Sequence, residues 1–191
     1  MSNVSTTSNG RTEYLALGGT DGLIEVWDFD RMKLETERLK FQKDGLFMVH
    51  SGPVLSLDFS LDNRLLASAD QQGTVKVWKL ADGKCLRQIN IELSRNLASV
   101  TTVRLNPANS KVYACCLDKS IKVFGLKSGT MLKEMAGQHE SYIQGFDFLC
   151  VRVAENKLVK TDDLVLSYSF DGKVVLWALG PNAKLFPSQQ L

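Results

Sequence analysis

The chain has 191 residues, 44% of them apolar and 23% charged, with a net charge of +2. That length supports a domain with a core of its own, and the composition is ordinary for a soluble globular protein. The charge balance gives no strong field for nucleic acid or an acidic membrane surface, no run approaches the roughly 18 apolar residues of a membrane helix, and "MSNVSTTSNG" lacks the basic and apolar regions of a secretory signal.

Residues 1–10 are rich in Ser, Thr and Asn and are expected to form a flexible polar tail. "EYLALGG" and "GLIEVWDF" follow as two strands, the second carrying Trp27. After a long connection containing "FQKDGLFMV" come "VLSLDFS", "RLLASAD", "GTVKVWKL" and "CLRQINI". The next set is "VTTVRLN", "KVYACCL", "KSIKVFGL" and "MLKEMAG". The last is "YIQGFDFL", "LVLSYSF" and "GKVVLWAL", with "LCVRVAENKLVKTDDLVLSYS" forming an expanded first hairpin. No segment has sustained helical periodicity.

These segments repeat. Trp27, Trp78, Phe124 and Trp177 occupy equivalent places roughly 50 residues apart, close to the period of a four-stranded propeller blade. Three and one residues before each stand Ile24/Val26, Val75/Val77, Ile121/Val123 and Val174/Leu176. Alternation with period two means strands. Both faces carry apolar residues, as in a sheet sandwiched between two neighbours rather than one wet on one side. The expected fold is all-β: a propeller segment of three full blades plus one incomplete N-terminal blade, built of four-stranded antiparallel sheets. Its blades span approximately 11–43 (partial), 44–92, 93–137 and 138–191. Each blade face left open at the ends is apolar, so the rest of the propeller is expected from adjoining sequence or another chain.

The repeats resemble the WD40 family. In that family a turn Asp, a His entering the inner strand, a Ser or Thr on the second strand and the anchor Trp form a buried hydrogen-bonded set. The resemblance implies the whole set in the fourth repeat: His139, Ser167, Asp171 and Trp177. The second repeat has His50, Ser68 and Trp78, with Gln72 in the place of the acid. The third keeps Asp118, with Ala114 and Phe124 in the other places, and the first keeps Asp21 and Trp27, with Leu17 where Ser would stand. A buried carboxylate is costly unless hydrogen-bonded, so the set has a structural use. A hydrolase triad is the competing reading of His139, Ser167 and Asp171. Recurrence at equivalent places beside an anchor, and the lack of a G-x-S-x-G elbow, argue against it.

Within the family, "IKVFGLKSGTMLKEMAGQH" and the "FQKDGLFMV" connection resemble the WD40 splicing factors of the suppressor-of-mec-and-unc type. That likeness runs from about Gly10 to Phe148. It implies a nuclear, non-catalytic scaffold of the spliceosome before its activation, bound to other splicing proteins and needing no cofactor. A WD40 scaffold in ubiquitin ligation or signalling is the alternative. Expected protein-contact residues lie where the inner strands begin: His50, Ser51, Arg95, Asn96, Glu140 and Tyr142. Lys33, Arg38, Lys40 and Lys43 make a mildly basic stretch, read as a solvated strand edge rather than an RNA site. With two histidines and no C-x-x-C pair, no metal site is expected. Cys85, Cys115, Cys116 and Cys150 are read as small buried apolar residues.

Overall fold

The computed structural model describes residues 3–8, 13–28, 49–91, 99–152 and 158–179. They form four antiparallel sheets, each a meander in which strands pair with their chain neighbours, and there is no helix among the described residues. The first sheet is β1 (Asn3–Ser8), β2 (Glu13–Gly18) and β3 (Ile24–Asp28). The second is β4 (Val54–Phe59), β5 (Leu65–Asp70), β6 (Thr74–Lys79) and β7 (Cys85–Asn90). The third is β8 (Val100–Leu105), β9 (Lys111–Cys116), β10 (Ile121–Gly125) and β11 (Met131–Met135). The fourth is β12 (Ile143–Arg152), β13 (Leu158–Ser169) and β14 (Val174–Ala178).

The inner strands stand side by side: β1 beside β4, β4 beside β8, β8 beside β12. This is the arrangement of a propeller arc. It corrects the reading of residues 1–10 as a flexible tail. Asn3–Ser8 pairs with β2 from Asn3↔Gly18 to Ser8↔Glu13 and supplies the inner strand of the first sheet. The strand "NVSTTS" has one large apolar residue, so no alternation marks it. Its backbone pairing and β-branched Val and Thr carry it instead. In the fourth sheet, β12 and β13 pair out to Arg152↔Leu158, which is the expanded hairpin. That sheet has three strands among the described residues. The outer strand expected to complete it falls in 180–191, outside them.

Three clusters of buried side chains hold the sheets face to face. Trp78 packs with Ile24 and Val26 of the first sheet. Phe124 shares a cluster with Val75 and Val77 of the second, and Trp177 one with Ile121 and Val123 of the third. Each of these anchors therefore faces the preceding sheet, and each branched pair the following one. Each such side chain contributes about 1.5–3 kcal/mol by leaving water. The sheets approach closely. A Cβ on Gly18 would lie 2.6 Å from Val54 Cγ1 of the next sheet. On the fourth sheet the corresponding pair, Val174 and Leu176, is only half-buried. The side chain of Trp27 lies outside the described residues.

Cys115 and Cys116 are fully buried, as expected, whereas Cys85 is exposed on β7, because the outer strand faces solvent on most of its positions. The side chain of Cys150 is outside the described residues. Burial pushes the Cys115 thiol well up. Burial, with the Asp118 charge beside it, pushes Cys116 up to about 12. In the folded chain at neutral pH, a thiol reagent is expected to modify Cys85 and spare Cys115 and Cys116 until denaturant is added. Mass spectrometry of the labelled peptides checks this.

Candidate functional site

The residues singled out in the sequence meet in two buried networks. In the second sheet, Ser68 on β5 receives a hydrogen bond from Trp78 Nε1 at 2.7 Å and lies 2.6 Å from His50 Nε2. On the other side of the ring, His50 Nδ1 is 2.9 Å from Asp70 Oδ2. The other carboxylate oxygen, Oδ1, accepts the amides of Gln72 at 2.9 Å and Thr74 at 2.8 Å. One proton arrangement satisfies the set. The indole donates to Ser68, the Ser68 hydroxyl to Nε2, and Nδ1–H to Asp70.

Asp70 thus corrects the assignment made at Gln72. The acid is present in this repeat, two residues earlier. Ser68 and Asp70 lie on one face of β5, so the strand itself carries the carboxylate to the ring. Gln72 is exposed in the turn.

The fourth sheet builds the set from its turn. Ser167 Oγ is 2.7 Å from His139 Nε2 and accepts Trp177 Nε1 at 2.8 Å. His139 Nδ1 lies 3.3 Å from Asp171 Oδ2, which also accepts the Glu140 amide at 2.7 Å. Asp171 Oδ1 accepts the Lys173 amide at 2.9 Å. Gly172, at φ 75°, closes this turn in the left-handed region.

The third sheet does something different. Asp118 lies 2.9 Å from Nζ of Lys122, which also pairs with Glu134. It accepts the amide and hydroxyl of Ser120 as well. With Ala114 in the serine place and Phe124 in the tryptophan place, the site holds a buried lysine between two carboxylates. In the first sheet Asp21 is exposed and accepts its own turn's Leu23 amide, at 3.1 Å.

Ser68, His50 and Asp70 have the hydrogen-bond order of a hydrolase triad, yet they cannot act as one. Ser68 is 0% and His50 2% exposed. The Ser68 oxygen is already held by an indole, so no carbonyl carbon reaches it. Among the described residues no group of three or more His, Cys, Asp or Glu side chains could hold a metal ion.

Burial alone would raise the Asp171 carboxyl. The amides of Lys173 and Glu140, together with His139, outweigh it and hold the group at about 2. Asp70 is lowered in the same way, burial being outweighed by His50 and the Thr74 amide. So is Asp118, through Ser120 and Lys122. These folded values lie below those of an unfolded chain. The stability they contribute is therefore present above about pH 4 and is lost as pH falls through the folded values, which for Asp171 is about 2. Urea titrations are expected to show the midpoint dropping across that window.

Of the expected contact residues, Ser51, Glu140 and Tyr142 are exposed. His50 is not: its ring is fixed inside the network, which corrects its assignment as a contact residue. Arg95 and Asn96 lie outside the described residues. Tyr142 packs against Phe170, with ring centroids 4.6 Å apart, and Glu140 is paired with Lys173. Phe170 is 59% exposed and was not singled out in the sequence. Its signal was its place just before the Asp171-Gly172 turn, where a core residue has nothing to pack on.

Residues 41–79 and 83–125 match the family model described as "WD domain, G-beta repeat". Those two stretches are WD40 repeats. The mouse (Mus musculus) "WD repeat and HMG-box DNA-binding protein 1" is 32% identical over 123 residues, covering 61% of this chain and 10% of that protein. "Protein SPA1-RELATED 3" of Arabidopsis thaliana is 26% identical over 88% of the chain and 17% of that protein. "Periodic tryptophan protein 2" of the same plant is 28% identical over 87% of the chain and 16% of that protein. The chain thus spans about a tenth to a sixth of the length of these relatives. A designed protein, Ika4, shares the fold with a TM-score of 0.66 at 24% identity, over 93% of this chain and 90% of that one. No enzyme family is indicated. WD40 repeats are protein-interaction scaffolds, and the buried networks above fit that use: they fix turns and present loops without exposing a reactive group.

Proposed function

We propose that this WD40 scaffold works in pre-mRNA splicing, in the nucleus, as a non-catalytic component of the spliceosome before its activation. The observation that carries this reading is the run "IKVFGLKSGTMLKEMAGQH", Ile121 to His139, with its non-tryptophan anchor Phe124 followed by "GLKSG". Generic repeat chemistry does not call for that sequence. The structure is compatible with it: Phe124 is buried against the second sheet, and the turn after it is clamped by Arg87, whose Nε donates to the Leu126 carbonyl at 3.1 Å. The partners are splicing proteins, met through the rim where Ser51, Glu140 and Tyr142 lie. Completion of the ring comes from further blades, in adjoining sequence or on another chain.

A tagged chain expressed in cells is expected to co-purify splicing proteins in buffer with nuclease added. An eluate without them, repeated with the adjoining sequence restored, rejects the splicing role. The second reading, a scaffold outside splicing such as a ubiquitin-ligase or signalling adaptor, is favoured by one observation. The names of the relatives at similar identity point in several directions, among them "Mitochondrial division protein 1" and "Polyadenylation factor subunit 2".

A further inference from the structure

The start of each inner strand lies against the end of the second strand of its own sheet. The register places Val54 opposite Asp70, Val100 opposite Cys116 and Ile143 opposite Ser169. One residue further out, the facing pairs are Pro53 and Gln71 in the second sheet, Ser99 and Leu117 in the third, and Tyr142 and Phe170 in the fourth. In the second and third sheets backbone closes the pair. The Gln71 amide donates to the Pro53 carbonyl at 2.9 Å, and the Leu117 amide to the Ser99 carbonyl at 3.1 Å. The fold thus asks for no aromatic ring at either place.

The fourth sheet has a ring at both. They meet with 50° between their planes, and Tyr142 is 39% and Phe170 59% exposed, so the contact leaves ring surface in water. The segment carrying Tyr142 is tied down. The Ser169 hydroxyl lies 3.1 Å from the Ser141 carbonyl oxygen and 3.0 Å from that of Tyr142, and the Glu140 amide donates to Asp171 at 2.7 Å. Rings held in this way need little ordering when something binds to them. Beside them Glu140 is paired with Lys173. The lysine side chain is 22% exposed and the glutamate 78%, so the pair turns its carboxylate to solvent.

We propose that Phe170, Tyr142 and Glu140 form a seat for an arginine side chain of a partner protein. The guanidinium lies on the exposed ring surface and donates to the Glu140 carboxylate. Its shape meets both demands, since a flat cation stacks on an aromatic face while its fork meets a carboxylate edge. Lysine supplies the charge without the plane, and an acidic segment is repelled by Glu140. This deepens the reading of the chain as a protein-interaction scaffold, on which it rests, by naming the chemistry of one contact. It stands apart from the splicing role. A purification free of splicing proteins leaves the seat standing, and a peptide that fails to bind leaves the splicing role standing.

The test uses the whole chain, 15N-labelled, and the blocked tripeptide Ala-Arg-Ala, titrated through the millimolar range. Amide shifts are expected at residues 140–142 and 169–172, with Overhauser contacts from the arginine Cδ protons to the Phe170 ring. The same peptide with citrulline, which keeps the plane and loses the charge, is expected to give neither. Phe170→Gln, which installs the side chain the second sheet has there, is expected to weaken binding by about threefold or more and to leave the melting temperature unchanged. Glu140→Arg is expected to reject the peptide. Lys173→Met, which frees the Glu140 carboxylate, is expected to tighten binding, an outcome that a purely structural role for the Glu140–Lys173 pair does not give. No shifts at these residues, equal shifts with citrulline, or binding indifferent to Phe170→Gln would each overturn the proposal.

Discussion

Asp70→Ala is expected to cost about 3 kcal/mol of unfolding free energy, while Gln72→Ala, two residues away, stays within about 0.5 kcal/mol. The difference follows from what each side chain touches. Asp70 is 0% exposed and accepts from His50 Nδ1 and from the amides of Gln72 and Thr74. Alanine there strands three donors, of which His50 Nδ1 is fully buried. It also frees the imidazole, which orients Ser68, which in turn holds the Trp78 indole. Gln72 sits in the turn with its side chain in solvent. Urea denaturation of the two variants, compared at constant m-value, measures the contrast. Equal effects would mean that the acid of this repeat has been placed wrongly.

The larger loss is expected from Phe146→Ala, at about 3–5 kcal/mol. Phe146 is 1% exposed and is among the largest fully buried side chains. Its ring is tilted against Tyr113 at 5.9 Å and lies edge-on to Phe148 at 5.7 Å, while Tyr113 and Phe148 meet edge-on at 5.0 Å. These three rings join the third sheet to the fourth, so alanine opens a cavity in that interface. Sheets packed in a row are stabilised mainly by their neighbours. Loss of protection is therefore expected to appear first in β12–β14, with β4–β7 following only at global unfolding. Hydrogen exchange read by mass spectrometry separates the two.

The architecture was legible because the constraint behind it is simple. A sheet buried on both faces must put apolar residues at successive positions around Trp78, Phe124 and Trp177, and each of these takes the expected face. The fourth-sheet network was legible too, since His139, Ser167, Asp171 and Trp177 all meet. Asp70 escaped because equivalence was sought by distance from the anchor. A histidine ring is reachable from two places, the turn and the last residue of β5, and only the strand's own alternation points to the second. The inner strand Asn3–Ser8 escaped for the opposite reason: backbone pairing defines it, and backbone leaves no pattern in side-chain hydropathy.

The indoles of Trp78 and Trp177 each donate their one N–H to a serine with no exposed surface, in different sheets. Those two protons are therefore natural clocks. Each is released to solvent only when its own network opens, and each gives a resonance far from the crowded amide region. Timing their exchange against one another in a single sample would show whether the second and fourth sheets breathe as one body or as two, with no label added and no residue changed.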